Sequence, residues 1–255
     1  MFTIFKTMLA GIFRDGHTLF WTILFPLAML AGLGLYFDNQ AYSERLLGGV
    51  LTTNVLFGSA MVTAFNVMAQ RNRGVYKLLR ATPFKTSAFI TAMTGARTAL
   101  TLIVSGCVIL MGVIILGVSL HALSLLMMLI VLLAGTVCFT AIGFIAANLS
   151  RDESNVNMIS NLISFPMLFT SEAFYSLQNA PGWVQLLGKL QPFSYFVEAM
   201  SIAISPEGAF ADIVMPLLIL IGFCILCLAV AILTFRWDSE RAAGRRFRQK
   251  QTSSY

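Results

Sequence analysis

Charge is scarce in this sequence. Asp, Glu, Lys and Arg make up 11% of its 255 residues, less than half the ~25% of an ordinary soluble domain. A chain so poor in ionisable groups cannot keep a whole surface wet, which excludes a soluble globular enzyme or binding module. A G-x-x-x-x-G-K-[ST] loop is missing too; the one Gly-Lys pair, Gly188–Lys189, lacks the rest of it, so the chain cannot hydrolyse ATP. Acid is absent from "QRNRGVYKLLRATPFKTS", residues 70–87, which nevertheless holds Arg71, Arg73, Lys77, Arg80 and Lys85. Histidine and cysteine are few. His17 and His121 fall at the edges of apolar runs, more as interfacial residues than as bases or ligands. Cys107, Cys138, Cys224 and Cys227 all fall inside apolar runs. There a C-x-x-C pair lacks the polar setting that makes a reactive thiolate or a metal site and reads as small apolar filler. Intramembrane catalysis would need a paired nucleophile and base, and an ATP-independent carrier would show inverted repeats with charges at mid-membrane; neither pattern is present.

Apolar residues are what the sequence has, at 58% and a mean hydropathy of +0.82. They come in blocks near the ~20 residues a helix needs to cross a bilayer. Six are predicted to span: Leu19–Phe37, Leu46–Ala69, Thr98–Gly117, Ala122–Ala147, Met158–Phe174 and Ile213–Phe235. The fifth is the weakest, short and interrupted by Asn161 and Pro166. Gly106, Gly112 and Gly117 in the third block and Gly135 and Gly143 in the fourth suit close helix contacts.

Alternating loops put the N-terminus, residues 70–97, residues 148–157 and the tail on one face. Fifteen of the seventeen cations fall there, leaving Arg45 and Lys189 opposite. Basic loops stay in the cytoplasm, so both termini and the 70–87 stretch are expected to be cytoplasmic. The net charge of +6 then reflects topology and contact with anionic lipid rather than nucleic acid.

Three segments do not fit as spans. Residues 1–17 carry Phe2, Phe5, Leu9, Ile12 and Phe13 at helical spacing with Lys6 and Arg14 elsewhere. They read as an interfacial amphipathic helix or a frayed extension of the first span, with Asp15, Gly16 and His17 favouring the first. Residues 175–212 hold apolar pieces too short to span, punctuated by Pro181, Pro192 and Pro206. They are expected as two short helices re-entering the membrane, or as a cap packed on the spans. In segment 70–88, Val75, Leu78 and Leu79 share a helical face over residues 72–80, with Pro83 ending the helix. Such an element holds lipid headgroups or docks a soluble partner. The tail, 236–255, is basic and cytoplasmic.

"RGVYKLLRATPFKTSAFI" resembles the cytoplasmic loop of ABC-2-type transporter permeases, with its Leu-Leu and Thr-Pro core. "FPMLFTSEAFYSLQNAPGWVQLLGKLQPFSYFVEAM", residues 165–200, is similar to that family's signature around the fifth span and external helices. With the span order, the resemblance covers essentially the whole chain as one transmembrane domain, 1–255. It implies an all-α membrane fold with six spans, an interfacial helix, a coupling helix and external re-entrant helices, in the bacterial inner membrane. It also implies the permease half of an ATP-driven exporter, paired with a second permease subunit and served by cytosolic ATPase subunits that bind the ATP and Mg²⁺; this chain itself needs no cofactor. The coupling role falls on Arg73, Gly74, Val75, Tyr76, Leu78, Leu79, Thr82 and Pro83. The family usually has Glu where Gln70 or Asn72 stands, Thr at Val75 and Glu near Lys77; this more basic loop suits an ATPase with a more acidic groove.

The cargo is less determined. Few polar residues face a pathway, which disfavours small ions and favours an amphipathic or lipid-like substrate such as an antibiotic, a lipid-linked molecule or a hydrophobic peptide. A polysaccharide or glycolipid is the alternative. Candidate pathway or gate residues are Glu172, Asn161, Ser164, Phe165 and Phe169. Glu172 reads either as such a contact or, the favoured alternative, as a carboxylate hydrated at the interface; Glu198 is read the same way, either pairing with Lys189 or facing water.

Overall fold

In lipid, a chain satisfies its backbone as helices or as a closed barrel, and every regular element among the described residues is helical. The computed structural model describes the backbone of residues 16–36, 40–74, 86–178, 180–205 and 210–234. The helices are α1 (Gly16–Tyr36), α2 (Gln40–Val55), a π-helical turn (Leu56–Met61), α3 (Val62–Asn72), α4 (Thr86–Leu116), α5 (Ala122–Leu149), α6 (Glu153–Phe169), α7 (Gly182–Lys189), α8 (Pro192–Ile204) and α9 (Phe210–Leu233). Val55 and Val62 keep helical dihedrals on either side of the π turn, so α2 and α3 form one rod. Among the described residues, four stretches are long and apolar enough to cross a membrane: Tyr42–Asn72, Thr91–Leu116, Ala122–Leu149 and Phe210–Leu233.

The boundaries differ from expectation where local chemistry overrides hydropathy. The second block is predicted over Leu46–Ala69, but its rod runs from Gln40 to Asn72. The third starts at Thr86 rather than Thr98, because the stretch before Arg97 is itself rich in apolar residues and alanine (Ala88, Phe89, Ile90, Ala92, Met93, Ala96). Asn72 does not open a coupling helix; it ends α3. Arg73 is the C-cap and Gly74 has φ +73°, a left-handed turn that glycine adopts at least cost. The expected coupling segment thus gives residues 70–72 to α3 and 86–88 to α4. The fifth block is shifted N-terminally, to Glu153–Phe169, because Asp152 caps it by accepting from the Asn155 N–H at 2.9 Å. The 175–212 segment does contain two short helices, α7 and α8, and the following helix starts at Phe210. Of the expected interfacial helix, 1–17, residues 1–15 lie outside the described residues and Gly16 and His17 instead open α1; the expected tail, 236–255, lies outside the described residues.

Helix α5 is the centre of the bundle, packed against α9, the π turn, α8, α3 and α4. It is apolar around its whole circumference, buried where it meets these neighbours and exposing Leu125, Leu126 and Leu129 in its N-terminal half. Phe139 packs edge-on to Phe193 and tilted against Phe196 of α8, with centroids 5.8 and 5.5 Å apart; Gly135 leaves the space that the Phe196 ring fills. In contrast, only 22% of the most apolar window of α9 is buried. Its Met215, Leu218, Ile225 and Leu226 face outward, the arrangement a lipid-facing helix requires.

Candidate functional site

Two ends of the bundle gather polar groups. At the first, Ala64, Val67, Met68 and Arg71 form the buried face of α3. The spacing i, i+3, i+4, i+7 makes Arg71 the last inward position of that face. Its Nη1 donates to the carbonyls of Ala147 at 3.2 Å and Ser150 at 3.5 Å, and its Nη2 to Asn148 Oδ1 at 3.4 Å. A guanidinium at the C-terminal end of α5 meets carbonyls that lack helical donors and the negative end of the helix dipole. Asn148 Nδ2 in turn donates to the carbonyl of Ala231 and to Thr234 Oγ1, both at 3.2 Å. Arg71 and Asn148 therefore fasten α3, α5 and α9 together. Beside them, Asn72 Nδ2 reaches Glu153 Oε1 of α6 at 3.1 Å.

Of the expected coupling residues, Arg73 is exposed and Gly74 follows it with a left-handed φ of +73°. Val75, Tyr76, Leu78, Leu79, Thr82 and Pro83 lie outside the described residues. Arg71, read from sequence as one more charge of the basic stretch, is instead turned into the protein. The signal was available in its register with Ala64, Val67 and Met68.

At the other end, a cavity of about 480 Å³ opens among α2, the 172–178 loop, α7 and α8. Arg45, Glu172, Lys189 and Glu198 all line it, so both cations left on that side by the charge count share one cavity with two acids. Glu172 is oriented by the Leu177 N–H, which donates to its Oε1 at 2.9 Å. The Glu198 carboxyl is pushed above its usual range by burial first and by the Glu172 charge second. Among the described residues no ion pair joins Glu198 to Lys189, so the partnership open from sequence is not formed. Gln191 and Tyr175 fix the walls. Gln191 Nε2 donates to the carbonyls of Met167 at 3.0 Å and Thr170 at 3.2 Å, and the Tyr175 hydroxyl donates to the Phe169 carbonyl; together they satisfy the end of α6.

The raised Glu198 pKa makes a pH prediction. In the window above the reference value of 4.5 the folded protein holds a proton that the unfolded chain has released. Stability therefore falls as pH rises through that window. Glu198→Gln should flatten this fall, so that thermal unfolding in detergent from about pH 5 to about pH 8 shows a smaller slope for the variant.

The remaining candidates do not converge on one point. Ser164 is buried in the bundle. Asn161 Nδ2 donates to Asn157 Oδ1 at 3.0 Å, on a face of α6 that also carries exposed Phe165 and Phe169. These rings stack at 6.1 Å, and Phe57 of the π turn meets Phe165 at 5.6 Å. Glu172 sits apart from them in the cavity. Among the described residues no group of three His, Cys, Asp or Glu is placed to hold a metal.

The family model described as ABC-2 type transporter matches residues 1–205, which include every described helix except α9. The chain belongs to the ABC-2 type transporter family. It is 26% identical over 196 residues, 76% of this chain, to the "Putative transport permease ycf38" of Porphyra purpurea. The protein of the same name from Pyropia yezoensis is 26% identical over 195 residues, 75% of this chain. The chain spans 66% and 65% of the lengths of these two relatives. ABC-2 proteins are membrane transport components, not catalytic domains, and generally work with ATPase partners.

Proposed function

We propose that this ABC-2 chain is the permease subunit of an ATP-driven exporter. It works with a second permease subunit and moves an amphipathic or lipid-like molecule out across the inner membrane of a bacterium. In this reading α1 and α6 complete a six-span bundle, α7 and α8 re-enter from the outside, and both termini are cytoplasmic. ATP and Mg²⁺ bind on separate cytosolic ATPase subunits.

One observation carries the reading. The basic segment follows directly on α3, whose last turn carries an arginine that fastens α3, α5 and α9. A partner that pulls on residues 75–85 would pull on three long helices at once, which suits rigid-body rocking between two states. The Asn157–Asn161 pair on the aromatic face of α6 supports a pathway or subunit contact there, because amide side chains are costly against lipid tails.

The test is capture of an ABC ATPase subunit co-expressed with the permease, after the permease is purified in lipid discs. Wild type should retain the ATPase, whereas Leu79→Asp and Tyr76→Asp should lower the retained fraction about tenfold or more, the effect of burying an unpaired charge in an interface. Gly74 is a poor site for this test because its φ of +73° would strain any other residue. Retention by the variants equal to wild type would sink the coupling role.

A further inference from the structure

We infer that the cavity between α2, α7 and α8 binds the headgroup of a phosphatidylethanolamine-type lipid: its ammonium at Glu172 and Glu198, its phosphate at Arg45 and Lys189. This inference needs only that the chain spans a membrane, and stands whether or not the exporter reading does.

Three features of the cavity point there. The first is its charge. Two carboxylates and two cations line about 480 Å³, yet among the described residues no ion pair within 4.0 Å joins either acid to either cation. Opposite charges that share a pocket without pairing leave room for a ligand carrying both signs. The second is the acid pair. Glu172 stands close enough to Glu198 to hinder its ionisation, so a cation between them relieves a repulsion that already exists. Glu172 is held in place by the Leu177 N–H and need not reorganise.

The third feature selects a lipid over a free zwitterion. Helix α7 turns Gln185, Gly188 and Lys189 toward the cavity. Its other face exposes Trp183, Leu186, Leu187 and Leu190, the composition of a helix lying at a membrane–water boundary. A headgroup in the cavity therefore has a surface beside it along which its acyl chains can lie. A primary ammonium donates three hydrogen bonds; the trimethylated nitrogen of phosphatidylcholine donates none, and phosphatidylglycerol has no cation to place between the acids.

The experiment uses the full chain in discs of equimolar phosphatidylethanolamine, phosphatidylcholine and phosphatidylglycerol. The protein is extracted in mild detergent and its retained lipids are counted by native mass spectrometry. Wild type should hold phosphatidylethanolamine about tenfold over phosphatidylcholine, the size of a charge-assisted hydrogen bond. Glu172→Gln with Glu198→Gln should abolish that preference, and Arg45→Gln with Lys189→Gln should lower retention of both lipids. Soluble glycerophosphoethanolamine at the same headgroup concentration should not displace the lipid. Equal retention of the two lipids by wild type alone would overturn the site, whatever the variants do. A preference that survives the double carboxylate substitution would overturn the assignment of the ammonium. Displacement by the soluble headgroup would make the ligand a free zwitterion and overturn the lipid.

Discussion

Arg71→Met should cost this protein about 2–4 kcal/mol and lower its Tm in detergent by about 5–10 °C. The methionine matches much of the volume of the stem, so packing against Val67 and Met68 survives. What disappears is the guanidinium that donates to the carbonyls of Ala147 and Ser150 and to the Asn148 side chain. Interhelical hydrogen bonds in membranes average only about 0.6 kcal/mol. Here three acceptors on one charged donor, in a buried setting at the negative end of α5, put the loss well above that average. Arg71→Lys should recover less than half, because one ammonium cannot serve carbonyls and an amide held by a planar fork. The clamp also makes a prediction about coupling: Asn148→Ala loses the link to Ala231 and Thr234. The double variant Arg71→Met, Asn148→Ala should then be clearly less damaged than the sum of its parts. Strict additivity would mean that α3 and α9 are fastened independently.

Arg71 also marks how far the sequence could be read. Its position at the end of an apolar run, in a loop rich in cations, made it look like one more topology signal. Hydropathy blocks locate helices because lipid demands them, and four of the predicted spans correspond to long apolar helices near their expected places. They do not say where a helix ends. The ends were set by Asp152 capping α6, by Gly74 turning left-handed after α3, and by the alanine and apolar residues between Thr86 and Arg97 that carry α4 on below its longest apolar run.

The cavity was half legible. The charge count already left Arg45 and Lys189 alone on their side, and Glu172 and Glu198 were marked as acids in need of a partner. That all four meet in one pocket depends on α8 folding back over α2. This in turn depends on Gln191 and Pro192 starting α8 directly under the end of α6, a long-range contact with no local periodicity to announce it. Phe165 and Phe169 were selected by motif, and their placement on the outward face of α6 separates them from Glu172.

The glycines divide in a way that composition could not show, and the division yields the second large effect. Gly143→Ala should destabilise the bundle by about 1–3 kcal/mol and Gly143→Leu by more, read as loss of monodisperse protein on heating. An added Cβ at Gly143 would fall on the Ala60 carbonyl oxygen and come within 2.9 Å of the Thr63 Cβ. Neither is the free end of a flexible side chain. Ala60 belongs to the π turn, where the widened turn brings its backbone against α5. To make room, α5 would have to move away from the α2–α3 rod and strain the Phe139 contacts with α8. Gly106→Ala is the control. Nothing lies within 4 Å of a Cβ there, so the helix should gain the few tenths to ~1 kcal/mol that alanine brings over glycine. At Gly112 the obstacle is the end of Leu47, a side chain that can rotate, and the loss should be intermediate. If Gly143→Ala behaved like Gly106→Ala, the close contact between α5 and the π turn would not be holding the bundle, and α5 would be free to slide along the rod.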